Sequence, residues 1–304
     1  MYKTLSPVLF IVFNRPDVTA LVFDKIRAVR PQRLYIAADG PRPDREEDVY
    51  LCQQTRELIN VDWDCKVYML YQQHNLGCKA AVSGAIKWFF SNEPEGIILE
   101  DDCLPNESFF RFCDLLLEKY RFDTRIVHIS GACLGHEKKF GRASYYFSKI
   151  TNIWGWASWR RAWQNYDENL MLLENFLKDD LFKYVYENKA VTNRLIESLH
   201  QVHTMQLNTW DVQYAFLNFW NNGLCINPNF NMVSNIGFGH LGTHTKDSTS
   251  KFANLPLEEI GQLVHPDFFV PIVEADYYVY KKELPTIAER VSNKLKRLLG
   301  LALL

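Results

Sequence analysis

The stretch Glu95-Gly-Ile-Ile-Leu-Glu-Asp-Asp-Cys-Leu-Pro105 decides how this chain is read. Ile97 to Leu99 form a short apolar run, which predicts a buried strand. The run ends on three successive carboxylates, Glu100, Asp101 and Asp102. Pro105 and Asn106 then stop the strand and lead into a helical pattern. Three adjacent acids repel one another, and burying them unpaired is costly. A divalent cation relieves that cost. Mg²⁺ and Mn²⁺ prefer oxygen ligands, and Mg²⁺ usually combines one or two carboxylates with substrate phosphates. The stretch therefore points to a metal-bound phosphate ester or diphosphate at the carboxyl end of a strand, where open α/β sheets bind ligands. An exposed acidic turn is the alternative, and the flanking sequence has to decide.

Upstream, strand, polar loop and helix alternate. Pro7 to Phe13 is a continuous apolar run rich in β-branched and aromatic residues, as in a strand covered on both faces. Asn14-Arg-Pro-Asp17 follows, and then Leu21, Val22, Ile26 and Val29 recur at helical spacing. At that strand end Arg15 can hold a base, a ribose or a phosphate, or stand as a solvated loop arginine. Leu34 to Ala38 predicts a second strand, ending in Asp39-Gly-Pro-Arg42, with a helical pattern from Arg45 to Ile59. Cys65 to Leu70 predicts a third, followed by the loop Gln72 to Lys79 and an apolar helix from Ala80 to Phe90. Arg125 to Ser130 predicts a further strand. Four strand-loop-helix units thus run from residue 7 to about 120, the pattern of a right-handed, doubly wound α/β sheet.

Beyond residue 131 the character changes. Four of the eight tryptophans, Trp154, Trp156, Trp159 and Trp163, fall within ten residues. Trp156, Trp159 and Trp163 have helical spacing, which predicts a core helix. Trp154 and Trp156 flank Gly155, and aromatic faces there suit a sugar or acceptor wall. Leu170 to Leu207 reads as helical. Trp210 and Asp211 then open an apolar helix, where Asp211 is either an N-cap or a proton acceptor. Gly223 to Asn235 predicts a strand pair turning at Pro228. The glycine-rich loop Asn235 to Thr245 can fold over a phosphate, with His240 or His244 completing a metal site.

Composition narrows the function further. A hydrophobic fraction of 47% supports a sizeable core, and a net charge of −2 argues against a nucleic-acid binder acting through bulk positive charge. Seven scattered cysteines without a Cys-x-x-Cys pair predict reduced thiols in a cytoplasmic protein. Asn14, Arg15 and Asp17 interrupt any secretory signal pattern, and no stretch reaches the roughly 18 apolar residues of a transmembrane helix. Residues 287–304 place Lys294, Lys296 and Arg297 among leucines. That pattern suits a basic helix lying on an anionic membrane surface, or one docked on its own domain or a partner.

The order of these motifs resembles a nucleotide-sugar glycosyltransferase of the GT-A fold, in the branch related to N-acetylglucosaminyltransferase I, whose pattern many bacterial family-2-like transferases share. The resemblance lies in Phe13-Asn-Arg-Pro16, Ala38-Asp-Gly40, Asn75-Leu-Gly77, Glu100-Asp-Asp102, Trp154-Gly-Trp156 with Trp163, and Trp210-Asp211. It implies a transferase domain over residues 1–250, with a nucleotide-binding half at about 5–135, an acceptor-side half at about 136–250, and a C-terminal extension over 251–304. It implies that Arg15 and Asp39, beside Asn14, hold the base and ribose. Glu100 and Asp101 contact the donor's ribose and sugar, and Asp102 ligates Mn²⁺ or Mg²⁺ on the diphosphate. Asp211 is the general base, with His244 adding a metal or diphosphate contact. From the residues themselves, Lys79, near a helix start, is a candidate to add positive charge to the diphosphate, and Trp154, Trp156 and Trp210 are candidates to wall the acceptor or sugar. The partners implied are a nucleotide-diphosphate sugar, UDP-linked by preference, and a glycan, lipid-linked or protein acceptor. A cytoplasmic enzyme of bacterial surface-glycan synthesis, held at the inner membrane face by its last helix, fits this pattern. A sugar nucleotidyltransferase is the alternative enzyme, but it usually carries a glycine-rich basic loop after the first strand, where this chain has Asn14-Arg-Pro-Asp17. A non-catalytic nucleotide- or glycan-binding module is the third reading.

Overall fold

The computed structural model describes residues 2–239 and 250–283. β1 (Val8–Val12), α1 (Pro16–Val29), β2 (Arg33–Ala38), α2 (Glu46–Leu58), β3 (Lys66–Tyr71), α3 (Gly77–Asn92) and β4 (Glu95–Glu100) alternate as expected. They are followed by β5 (Cys103–Pro105), α4 (Glu107–Tyr120) and β6 (Ile126–Ser130). The rest comprises β7 (Tyr145–Ser148), β8 (Trp156–Trp159), α5 (Arg160–Trp163), α6 (Leu173–Lys178), α7 (Phe182–Val185), α8 (Lys189–His203), α9 (Asp211–Trp220), β9 (Leu224–Pro228), β10 (Val233–Asn235) and α10 (Val273–Glu283).

The architecture is α/β, with a central sheet of eight strands in the order β3-β2-β1-β4-β8-β6-β9-β7. β3, β2, β1 and β4 are parallel. β8 enters antiparallel between β4 and β6, and β7 lies antiparallel on β9. The sheet is therefore mostly parallel, with two reversed strands on the later side. β1 shows why it is buried on both faces. Val8, Phe10 and Val12 pack into one core with α1 and α4, while Leu9 and Ile11 pack into another with α3. Successive strand residues point to opposite faces, so a strand between two helical layers has to be apolar throughout. Truncating Phe10 to alanine in such a core costs about 3–5 kcal/mol. The side chain of Asn106 caps α4, accepting the Phe109 N–H at 3.1 Å.

Three expectations are corrected. Trp156 to Trp159 form a strand, not a helix, because their backbone completes the sheet beside β4. Leu170 to Leu207 is not one helix. It divides into α6, α7 and α8, with Leu170 and Asp180 in left-handed backbone at φ 56° and 51°. Gly223 to Asn235 is not a hairpin. β9 lies between β6 and β7, and β10 pairs instead with β5 in a separate two-stranded sheet. All seven cysteines are free thiols. Among the described residues, no helix is long and apolar enough to cross a membrane. The expected basic helix at 287–304 lies outside the described residues.

Candidate active site

The parallel register assembles the site. Val12 lies beside Ala38 and Ile11 beside Glu100. The three strands therefore run out together and place Asn14-Arg15, Asp39 and Glu100 to Asp102 around one crevice. That crevice is a cavity of about 290 Å³, lined by Asn14, Arg15, Asp39, Glu100 and Asp101 and floored by small α3 side chains such as Ala81 and Ala85. A second cavity of about 310 Å³ adjoins it and is lined by Asp102, Trp154, Trp210, Asp211 and Asn235. Arg15, Cys78 and Glu100 border both spaces.

Arg15 is committed to the acids. Its guanidinium bonds both oxygens of Asp101, with Nε to Oδ2 at 3.2 Å, and its Nη2 meets Asp102 Oδ2 at 3.0 Å. Asp101 is buried and tied down by that fork at the edge of the first cavity, which leaves Glu100 and Asp102 as the acids of this stretch facing the second. One arginine does not balance three carboxylates. Burial, followed by the charges of Asp102 and Asp101, pushes the Glu100 carboxyl up to about 8. Burial, reinforced by Glu100 and Asp211, likewise pushes the Cys78 thiol up to about 12. Excess negative charge of this kind attracts a cation. Among the described residues, no group of three or more His, Cys, Asp or Glu side chains is placed to hold a metal ion. The carboxylates present would suit a hard cation that takes one of them, such as Asp102, and completes its shell with substrate oxygens. His240 and His244 lie outside the described residues.

Asp39 organises the next loop. Its carboxylate accepts from the N–H groups of Gly40, Leu76 and Gly77 and from Asn75 Nδ2. Burial raises its pKa above the ordinary carboxylate value, and those backbone donors oppose the rise. Asn14 donates to Asp48, a fully buried acid also held by Arg42. Lys79 sits in the first turn of α3, where its backbone N–H donates to Asn208 Oδ1 at 3.1 Å. Asp48 and Asn208 were not foreseen. Asp48 looks like an ordinary helix-surface acid in sequence, and Asn208 lies far along the chain from the loop it closes.

Asp211 begins α9, but it is not the N-cap. Trp210 occupies that position without a capping side chain, and Asp211 instead accepts from the Thr209 hydroxyl. Its half-buried carboxylate faces the second cavity with Asp102 and Glu100. The tryptophans explain its position. Trp210 stacks on Trp156 at 5.7 Å, and Tyr166 donates to the Trp210 carbonyl at 3.0 Å. Trp156 pairs with Ile98 of β4. The start of α9 is therefore anchored to the strand that carries the acids. Trp156 itself is 0% exposed, so it is a core residue and not a sugar wall. Trp154 is half-buried and opens onto the second cavity. Between them Gly155 has φ +60°, and a Cβ there would lie 2.8 Å from Val233.

Comparison with known proteins adds little beyond the fold. No family model matches the chain, and no curated protein matches it. Solved structures that resemble it include a mannosyltransferase from Pyrobaculum calidifontis in complex with GDP-Man and Mn²⁺. That match has 12% identity and a TM-score of 0.36, covering 52% of this chain and 45% of that one. Mouse xyloside xylosyltransferase 1 is 11% identical with a TM-score of 0.36, covering 74% of this chain and 83% of that one. A UDP-glucose pyrophosphorylase complexed with UDP-glucose is 10% identical with a TM-score of 0.26, covering 47% and 62%. This chain spans less than half the length of the first of these. Likeness at this level does not carry an activity across, and the functional argument rests on the site.

Proposed function

We propose that this chain is a metal-dependent, inverting glycosyltransferase that moves a sugar from a nucleotide-diphosphate sugar to an acceptor hydroxyl. The observation that carries the reading is the placement of Asp211, Glu100 and Asp102 on one cavity, next to another cavity at the ends of β1, β2 and β4. In this reading the strand-end cavity takes the nucleoside, with Asn14 and Asp39 in its wall. A cation at Asp102 supplies charge stabilisation for the departing diphosphate. Glu100 lies where the two cavities meet, at the transferred sugar. Arg15 holds Asp101 and Asp102 in place between the two, and Lys79 adds positive potential from α3. Asp211 takes the proton from the acceptor hydroxyl as that oxygen bonds to the anomeric carbon. The bond from that carbon to the diphosphate breaks, its electron pair leaves with the nucleotide, and the configuration inverts.

The motif resemblance to the N-acetylglucosaminyltransferase I branch favours a UDP-linked donor, with GlcNAc as the sugar. A glycan, lipid-linked or protein acceptor in bacterial surface-glycan synthesis fits that branch. The basic segment 287–304 suits attachment to the inner membrane face, and deleting it should release the protein from anionic vesicles. The direct test of the reading is thermal stability against nucleoside diphosphates with and without Mn²⁺, since a ligand of the native state raises the melting temperature by mass action. A UDP shift that needs Mn²⁺ and disappears in Asp102→Ala is expected. No shift with any nucleotide would remove the reading.

A further inference from the structure

A third cavity lies behind Asp211 and is not used by the chemistry above. It measures about 310 Å³ and is walled by the segment from Ile150 to Trp154 and by α8 and α9. It shares Ile153, Trp154, Asp211 and Val212 with the cavity that holds Asp102. Asp211 therefore borders both spaces, with the acids on one side and this cavity on the other.

The wall has a distinct chemistry. Leu195, Leu199 and Phe219 make much of it apolar, and Ser198 and Asn152 add neutral polar groups. Asp211 and Arg194 are its charged residues among those described. Arg194 and Ser198 stand one turn apart on α8, as do Leu195 and Leu199, so both pairs run along one side of the helix. Arg194 is exposed at the rim and has no carboxylate partner among the described residues. An exposed arginine beside an apolar slot, with no carboxylate partner among the described residues, is a ready receptor for a carboxylate or phosphate, which its planar fork binds through two parallel hydrogen bonds.

We propose that this cavity binds the acceptor, and that the acceptor carries an anionic group, carboxylate or phosphate, read by Arg194. The proposal rests on the transferase reading. An acceptor has to reach Asp211 without displacing the diphosphate, and this cavity is lined by Asp211 but by none of the three strand-end acids. Its apolar wall packs the C–H face of a sugar ring, while Ser198 and Asn152 take hydroxyls. A ligand that was polar all round would leave groups unsatisfied against Leu195, Leu199 and Phe219. The anion at the rim supplies affinity and sets direction, placing the far hydroxyl toward Asp211.

The test uses the full chain saturated with UDP and Mn²⁺, whose binding also reports folding in every variant. The probes are 4-nitrophenyl glucoside, the corresponding glucuronide, and the glucoside 6-phosphate, with affinities measured by calorimetry. The expected result is at least tenfold tighter binding of one or both anionic probes than of the neutral one. Whichever anion binds tighter identifies the source of the charge. Arg194→Ala should abolish the difference and Arg194→Lys should restore part of it. Ser198→Trp should exclude all three probes while UDP still binds. Equal binding of the three probes, binding of none, or discrimination that survives in Arg194→Ala overturns the proposal. Failure of the wild-type chain to bind any nucleoside diphosphate overturns the transferase reading and the proposal with it.

Discussion

Arg15 Nη2 lies 3.0 Å from Asp102 Oδ2, the carboxylate assigned to the metal, while the same guanidinium also grips Asp101. One cation thus holds two of three adjacent acids. The arrangement explains how the strand end folds before any ligand arrives. Arg15 is largely buried, as is Asp101, so removing it leaves carboxylates uncompensated in a poorly solvated place. Arg15→Ala should therefore lower unfolding stability by about 3–5 kcal/mol, the usual cost of breaking a buried pair from one side. Mn²⁺ should recover part of that loss, because it takes over the neutralisation. Urea unfolding with and without Mn²⁺ checks both statements, and an unchanged midpoint without metal would contradict the first.

Gly237 gives a finer probe of the same carboxylate. A Cβ built on it would lie 2.2 Å from Asp102 Oδ2 and 2.7 Å from Arg15 Nη1. The Ile236 N–H also donates to the Asp102 carbonyl at 2.9 Å, so this backbone cannot easily retreat. Gly237→Ala should push the Asp102 carboxylate aside without opening the core. Misplacement of a catalytic group by about 1 Å can cost 100-fold in rate. Turnover and apparent Mn²⁺ affinity should both fall, with a loss of stability smaller than that of Arg15→Ala. A large loss of stability would show instead that Gly237 serves folding.

Asp211→Asn keeps the shape of the side chain and its place beside Thr209 but removes the basic site. The expected loss in kcat is about 10²–10⁴, the usual contribution of a positioned proton acceptor. The Mn²⁺-dependent thermal shift with UDP should persist, since the donor cavity does not include this residue. Equal turnover in the variant would remove Asp211 from the mechanism.

Legibility followed the physical origin of each element. β1, β2, β4 and β6 could be read because a strand covered on both faces must be apolar along its length, whereas β3, the exposed edge strand, was legible only as a short apolar and aromatic run. The reversal of β8 could not, because four residues from Trp156 to Trp159 fit a helical or an extended period equally well. The partners of β9 and β10 depend on contacts more than 70 residues away, with Ser148 and Cys103 as their register neighbours, and no local pattern encodes such pairing. The bend at Asp180 takes positive φ without glycine, so it left no turn signal. In the site, the acids were legible from their charge and their position after a strand. The fork of Arg15 onto Asp101 was not, because an arginine in a polar loop looks the same whether it faces solvent, ligand or a neighbouring strand. Trp156 was misread for a related reason. Its composition suits a sugar wall, and only the sheet register shows that it is sealed beneath Trp210.

His128 provides a pH prediction away from the ligands. It lies fully buried on β6, stacked on Trp156 at 5.2 Å, with Nε2 3.0 Å from the Asn152 carbonyl. Burial lowers its pKa to about 4, against an ordinary value of 6.5, and the Asn152 carbonyl opposes only part of that. The sign follows from proton counting. Between pH 6.5 and 4 the unfolded chain binds a proton at this histidine and the folded chain does not, so stability falls as the pH falls through that window. Above pH 6.5 both states are neutral, and the residue contributes no slope. The full difference amounts to about 3 kcal/mol, at roughly 1.4 kcal/mol per pH unit. Urea unfolding of the wild type at pH 7.5 and 4.5 should show a loss that is smaller in His128→Gln, whose amide does not titrate. The variant will be less stable at pH 7.5, where its packing on Trp156 is poorer, so the comparison lies in the slope and not in the midpoint. Parallel slopes in the two proteins would mean that acid destabilisation arises elsewhere.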